Sequence, residues 1–453
     1  MRTKFTIFIN ALSVLLFWMP NEALANSTQT QQTQNQADVA ALFDQAAAKH
    51  KRELEDLWNS RGGPRLKLSN VSSESVARIL SQRTTTIDYS ATEATYLDNS
   101  AILFYCYDRE NLQIWLVDER SIQAYSKRRI SENKINEAIT NLRDSIGIDS
   151  LQLSRSPHPR GIGIFSRSQK AELPINRSIA ELTEILLPPT IRHELTSVKH
   201  LVIVPFLGLG TVPFAILQPF TDGSFLIDKM SISIASSLFD VGQTIPPWNV
   251  SRAFSSPLIV GNPYLPPSAE WVVPALPGAE KEAQGVAQIM NVTPLIGKEA
   301  SKERILSKVQ NSSLLYFATH GVASSTNPLS AGFLMFSADR FEQGWWTVKE
   351  VQEIRIRETQ IAVLSACQTG LGKVHDAGII GLARAFQIAG VPRVVMSLWS
   401  VDDVATSELM QAFIKHLEND IPAEALREAM LEVRKQYPAP SQWASFVLFG
   451  TPR

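Results

Sequence analysis

Two short stretches of this chain end an apolar run on a residue that can do chemistry. His320 closes Leu314-Leu315-Tyr316-Phe317-Ala318-Thr319-His320-Gly321, and Cys367 closes Ile361-Ala362-Val363-Leu364-Ser365-Ala366-Cys367-Gln368-Thr369-Gly370. A short apolar run that meets a polar residue and then a glycine reads as a buried strand stopping at a sharp turn. In an open parallel sheet, the carboxyl ends of the strands are where ligands bind. A thiol at one such end and an imidazole at its neighbour make a nucleophile–base pair: the thiolate attacks and the imidazole moves the proton. No Asp or Asn that would orient His320 stands out, so the pair reads as a dyad. Each residue alone also has a plainer reading. A free cysteine is commonly a buried small hydrophobe, and a strand-end histidine is commonly a satisfied core side chain.

The elements that must position this pair follow from periodicity. Strands are expected at 258–260, 293–296, 313–318, 360–366, 393–399 and 444–449, and helices at 278–290, 301–309, 378–389, 403–417 and 423–437. Such alternation implies a parallel sheet covered by helices. Gly390-Val391-Pro392 stops the third of these helices with a C′ glycine and a following proline. Upstream, 101–107 and 112–117 read as a hairpin around Asp108-Arg109-Glu110-Asn111. A helix at 130–146 follows with Ser131 as N-cap, then a loop at 149–175, a helix at 179–187 and a buried strand at 200–205. Further strand material is expected at 212–214 and 225–235, and a linker over 245–247 and 251–257. Residues 37–57 have helical spacing and end at Arg61-Gly62-Gly63-Pro64, while the Gln-rich tract 26–36 reads as a flexible leader.

Composition narrows the class. The chain has 453 residues, 44% hydrophobic, enough for two or three domains. Its formal net charge of −1 removes the basic surplus that nucleic acid or anionic lipid would require. Arg2 and Lys4, the apolar run 5–19 and Ala23-Leu24-Ala25 read as an export signal cut after residue 25, with an uncleaved anchor as the alternative. A periplasmic or secreted chain with no membrane span in its mature part is therefore expected. Two cysteines, Cys106 and Cys367, could form one disulfide, but Cys106 lies in a strand-like run far away in sequence. No cofactor is expected, because seven histidines and two distant cysteines show no zinc spacing. Gly370-Leu371-Gly372-Lys373 lacks the first glycine of a phosphate loop, and His375-Asp376 reads as a solvated loop pair. Trp345-Trp346 fits a cleft wall and core packing equally well.

Taken together, the C-terminal blocks resemble the CHAT domain, a caspase-like (clan CD) cysteine peptidase module related to separases. The resemblance runs in order through Leu258-Ile259-Val260-Gly261-Asn262-Pro263, Leu276-Pro277-Gly278-Ala279-Glu280-Lys281-Glu282, the His320 and Cys367 stretches, Gly381-Leu382-Ala383-Arg384-Ala385-Phe386, Ser397-Leu398-Trp399-Ser400-Val401-Asp402-Asp403 and Trp443-Ala444-Ser445-Phe446-Val447-Leu448-Phe449-Gly450. Leu201-Val202-Ile203-Val204-Pro205 and Phe225-Leu226-Ile227-Asp228 resemble the family's non-catalytic, pseudo-caspase half. Two departures stand out. The chain leaves no room upstream for the tetratricopeptide array many relatives carry, and Phe206-Leu207-Gly208-Leu209-Gly210 replaces a polar turn.

The resemblance implies an α/β fold: a caspase-like three-layer α/β/α sandwich with a mostly parallel sheet at 251–453, beside a pseudo-caspase α/β half at 85–250 and preceded by a helical segment at 37–84. It implies Cys367 as nucleophile, His320 as acid/base and Gly321 as an oxyanion donor, acting on a protein or peptide substrate, with a protein partner for activation. Ser365, Ser397, Trp399, Asp402 and Asp403 would line the pocket for the residue before the scissile bond. The two acids there would favour a basic residue, though both also suit helix capping. Two rivals use the same residues differently: a catalytically silent scaffold that binds a partner through the cleft, and a small-molecule thiol hydrolase.

Overall fold

The computed structural model of the chain describes residues 21–60, 68–81, 99–146, 174–241, 246–268, 273, 275–322, 332–366, 377–399 and 403–450. The expected hairpin forms between β1 (Ser100–Asp108) and β2 (Asn111–Asp118), with Asp108 opposite Asn111. Its two turn residues, Arg109 and Glu110, both take positive φ (45° and 65°). That is the backbone a two-residue hairpin needs for its twist to match the strands, although neither residue is the usual glycine or asparagine. A third strand, β3 (Ile122–Arg129), which periodicity did not reveal, completes the meander on β2.

β4 (His200–Val204) and β5 (Ser231–Ile234) then continue the sheet parallel to β1. The strand material expected at 212–214 is instead two 3₁₀ turns, Leu207–Thr211 and Phe214–Ile216. Glycines and Pro213, which lacks a ladder donor, suit turns better than a strand there. The span expected at 225–235 begins as the helical turn Leu226–Lys229, closed by the Phe225 N–H donating to Asp228 Oδ2 at 2.9 Å, and only its second part is β5.

The C-terminal strands are β6 (Pro257–Pro263), β7 (Leu295–Gly297), β8 (Leu314–Ala318), β12 (Ile361–Ser365), β13 (Arg393–Ser397) and β14 (Phe446–Gly450). Between β8 and β12 the short strands β9 (Gly321–Val322), β10 (Phe333–Met335) and β11 (Trp345–Thr347) make a separate antiparallel sheet. Among the described residues the main sheet has eleven strands, in the order β3-β2-β1-β4-β5-β14-β13-β12-β8-β6-β7. Rather than two sheets docked side by side, the two halves share one, because β14 pairs with both β5 and β13. β14 runs antiparallel to β13, an exception within a mostly parallel sheet. Two helices rather than one separate these strands, and the helical hairpin reverses the chain before it returns.

The helices are α1 (Asn21–Ser60), α2 (Ser73–Ser81), α3 (Glu132–Ile146), α4 (Ile175–Leu186), α5 (Pro277–Ile289), α6 (Lys302–Val309), α7 (Ala377–Ala389), α8 (Asp403–His416) and α9 (Pro422–Arg434), with several single turns. The tract 26–36, expected as a flexible leader, lies inside α1. Gln and Ala are good helix formers, and no Gly or Pro interrupts the chain between 21 and 60. Consecutive strand residues show that helices cover both faces. In β1, Phe104 meets Phe43 of α1 with ring centroids 5.4 Å apart, while the Tyr105 hydroxyl donates to the Leu186 carbonyl of α4 at 2.9 Å. In β8, Tyr316 reaches α5 and Phe317 reaches Phe386 of α7. The fold is thus a three-layer α/β/α sandwich. Cys106 is a free, buried thiol, and burial pushes it up to about 11.

His200 opens β4 inside the sheet, with Nδ1 2.7 Å from Ser231 Oγ and Nε2 3.2 Å from Ser233 Oγ. Complete burial pushes its pKa down to about 3. An imidazole whose folded-state pKa lies below its unfolded value of about 6.5 stabilises the fold fully above that value. That contribution drains away as pH falls from about 6.5 toward 3, at up to about 1.4 kcal/mol per pH unit. His200→Gln should therefore flatten the fall of melting temperature between pH 6.5 and 4 relative to wild type. Parallel curves would refute the assignment.

Candidate active site

The site is built on the pairing of β8 with β12. Their parallel register runs from Leu314 opposite Ile361 to Ala318 opposite Ser365. His320 stands two residues past Ala318, buried, between Thr319 and β9. Thr319 secures this exit: its N–H donates to the Ser365 carbonyl at 3.3 Å, and its hydroxyl donates to the Met335 carbonyl at 2.5 Å. The His320 carbonyl in turn accepts the Met335 N–H at 2.9 Å. With that bond in place, Gly321 faces Leu334 as a non-hydrogen-bonded pair, and its own N–H points away from β10. An amide so directed is available to an oxygen on the other side, as an oxyanion donor must be.

Cys367 lies outside the described residues, as do Asp402, the glycine–lysine stretch 370–373 and His375-Asp376. The residue before the cysteine, Ala366, is buried, and its carbonyl accepts the Ser397 hydroxyl at 3.3 Å. Of the residues expected to line a substrate pocket, three are placed by the strand ends. Ser397 closes β13 and bonds across to Ala366. Ser365 turns its hydroxyl to the Tyr316 phenol. Trp399 is buried, with its indole N–H donating to the Ser441 carbonyl at 3.0 Å. Asp403 is the first residue of α8. Ser365, Ser397 and Trp399 thus brace the strand ends from within. Trp346 belongs to the core: with Phe317, Phe336 and Phe386 it forms an aromatic cluster under β8, and Trp345 stacks on Phe333 at 4.3 Å.

A family model described as the CHAT domain matches residues 176–451. The chain belongs to the CHAT domain family. Tetratricopeptide repeat protein 28 of Mus musculus and of Homo sapiens are each 27% identical over 297 residues, covering 56% of this CHAT chain and 12% of theirs. The chain therefore spans about one-eighth of the length of these curated relatives. Among solved structures, the Arg-specific cysteine proteinase gingipain R aligns at TM-score 0.42 and 11% identity, over 62% of this chain and 70% of that one. Saccharomyces cerevisiae separase, in complex with securin, aligns at TM-score 0.41 and 14% identity, over 78% and 30%.

Sequence reasoning missed the polar support beneath these strand ends. Glu282 of α5 is buried, and the Tyr316 hydroxyl donates to its Oε1 at 2.5 Å. Burial first, and the Glu282 carboxylate second, hold the phenol well above its ordinary pKa. The result is a buried row, Ser365 to Tyr316 to Glu282, running from β12 through β8 into α5. A signal was present in the CHAT sequence: Glu282 falls in the buried stripe of α5 with Ala283, Val286 and Ala287, where a carboxylate needs a partner. α5 lies close against the sheet because Gly261 of β6 has no side chain. A Cβ there would stand 2.4 Å from Ala283 Cβ and 2.8 Å from the Ala279 carbonyl. Among the described residues no cluster of His, Cys, Asp and Glu could hold a metal ion.

Tyr316→Phe removes the central hydroxyl and with it the buried bonds to Ser365 and Glu282. It should lower unfolding free energy in urea by about 1–3 kcal/mol. A change below a few tenths would mean that the row contributes nothing.

Proposed function

We propose that this CHAT protein is a cysteine endopeptidase in which Cys367 attacks the scissile carbonyl, His320 moves the proton and the Gly321 amide binds the oxyanion. One observation carries the reading. The adjacent parallel strands β8 and β12 are in register at Ala318 and Ser365, and His320 and Cys367 each follow two residues beyond that pair in the chain. The residues just before them, Thr319 and Ala366, stand at the ends of these neighbouring strands. The first step forms a bond from Sγ to the carbonyl carbon, while the carbonyl π pair moves to the oxygen under the Gly321 N–H. Collapse of that intermediate breaks the C–N bond, and His320 protonates the departing amine. Water then attacks the thioester with His320 as base and releases the acid product and the free thiol.

The proposed pocket for the residue before the scissile bond carries Asp402 and Asp403, which favours Arg or Lys in the substrate. The substrate is a protein or peptide, and a protein partner is part of the reading, since relatives in the family combine this domain with partner-binding arms. Export is inferred from Arg2, Lys4, the apolar run 5–19 and Ala23-Leu24-Ala25. Among the described residues no helix is long and apolar enough to cross a membrane.

The deciding experiment is labelling with Arg-, Lys-, Leu- and Asp-acyloxymethylketone probes under reducing conditions. The Arg probe should react fastest, with the adduct on Cys367. Cys367→Ala should abolish labelling, and His320→Ala should slow it by roughly 10² to 10⁴. A folded protein with a titratable thiol that takes none of the probes would instead support a silent scaffold. Equal rates for Arg and Asp probes would remove the basic preference alone. In an exporting host, the mature chain should begin at Asn26, and a mass that still includes the first 25 residues would refute cleavage.

A further inference from the structure

α7 is the helix that the chain enters after Cys367, beginning ten residues later at Ala377. Its thirteen residues are almost wholly apolar, and Arg384 is its single charge. On one side, Phe386 packs against Phe317 and Trp346, directly beneath the strand that leads to His320. On the other side, Arg384 leaves the C-terminal half altogether. Its guanidinium pairs with Asp240, in the turn Leu238–Val241 of the N-terminal half, and both side chains are largely buried.

Asp240 is itself held in place. The Ser237 hydroxyl donates to its Oδ2 at 2.7 Å, and its N–H donates to Ser237 Oγ at 3.3 Å. One residue before, Ser236 Oγ lies 3.5 Å from Gln387 Oε1, so the same short segment touches α7 twice. Among the described residues, His50 of α1 also feels the Asp240 carboxylate, but burial drives it down to about 4, so it is neutral at pH 7. Arg384 is therefore the charge that Asp240 answers. Apolar packing of α7 on the sheet is non-directional and leaves rotation and sliding weakly fixed, whereas a guanidinium–carboxylate pair is directional.

We infer that Asp240 is a positioning residue for the proposed reaction: through Arg384 it sets α7, the helix that follows Cys367 in the chain, against the strand that leads to His320. This rests on the peptidase reading above. It gives the N-terminal half a defined part in the chemistry of the other half.

The test uses the full chain with Asp240→Asn and Arg384→Met combined, so that neither charge is left buried alone. Three quantities are read: melting temperature, kinact and KI for the Arg-acyloxymethylketone probe, and amide hydrogen exchange over 377–389. The expected result is a folded variant with KI unchanged, kinact reduced roughly tenfold to a hundredfold, and faster exchange in α7. Arg384→Lys, which keeps the charge, should recover part of kinact. A folded double variant with wild-type kinact and unchanged exchange in α7 overturns the inference. If wild type takes no probe at all, the peptidase reading fails separately. The exchange comparison then decides whether the pair fixes α7, and unchanged exchange still overturns it.

Discussion

Everything at the candidate site depends on β8 and β12 being nearest neighbours, parallel and in register. A strand's side chains alternate with period two, so a slip of one residue would turn His320 to the opposite face. Several independent contacts oppose that slip. Ala318 lies opposite Ser365, the Thr319 amide bonds back to the Ser365 carbonyl, and Tyr316 and Phe317 are committed to different helices on different faces. Exchanging those two faces would bury the Tyr316 hydroxyl in an aromatic cluster and press Phe317 against Glu282. The register is thus enforced by chemistry that differs from one residue to the next.

The strands that carry the site were readable because each is a short apolar run bounded by turn residues, and their expected limits fall within a few residues of β6, β8, β12 and β13. Ser131 announced its helix for a similarly local reason, its hydroxyl accepting the Lys134 N–H at 3.3 Å. What local pattern could not carry was partnership at long range. β14 looks like any other buried strand, and only its pairing reveals that it joins β5 to β13. Glu282 and Tyr316 are 34 residues apart, and Asp240 and Arg384 are 144 apart. No periodicity links such pairs. β3 escaped notice because Ile122–Arg129 is mostly half-exposed and polar at one end, as an outermost strand can be. Ser365, Ser397 and Trp399 lie at or near strand ends, and residue type alone did not reveal the hydrogen bonds their polar groups make with Tyr316, Ala366 and Ser441.

Buried charge is used sparingly and at joints. Arg393 opens β13 fully buried, with its guanidinium donating to the Pro246 carbonyl at 2.7 Å and lying over the Trp248 ring. It anchors the chain where it passes from one half to the other, and burial drives it down to about 9. Gln360 grips the same passage through both the N–H and the carbonyl of Asn249. With Asp240 and Arg384 farther along, the halves are joined by polar contacts of fixed direction as well as by a common sheet. Hydrophobic burial would hold them together, but it would not choose one mutual orientation.

β14 also has a consequence for the order of events on the ribosome. β5 is complete once residue 234 has emerged, yet the strand that pairs with its far edge is Phe446–Gly450, roughly two hundred residues downstream. Throughout synthesis of the intervening chain, the N-terminal half presents an open row of backbone donors and acceptors. Such a row is a template for the wrong partner. Closing the centre of the sheet last makes the final docking a long-range event, slow by its topology. A nascent chain of this architecture depends on whatever shields that edge until β14 arrives.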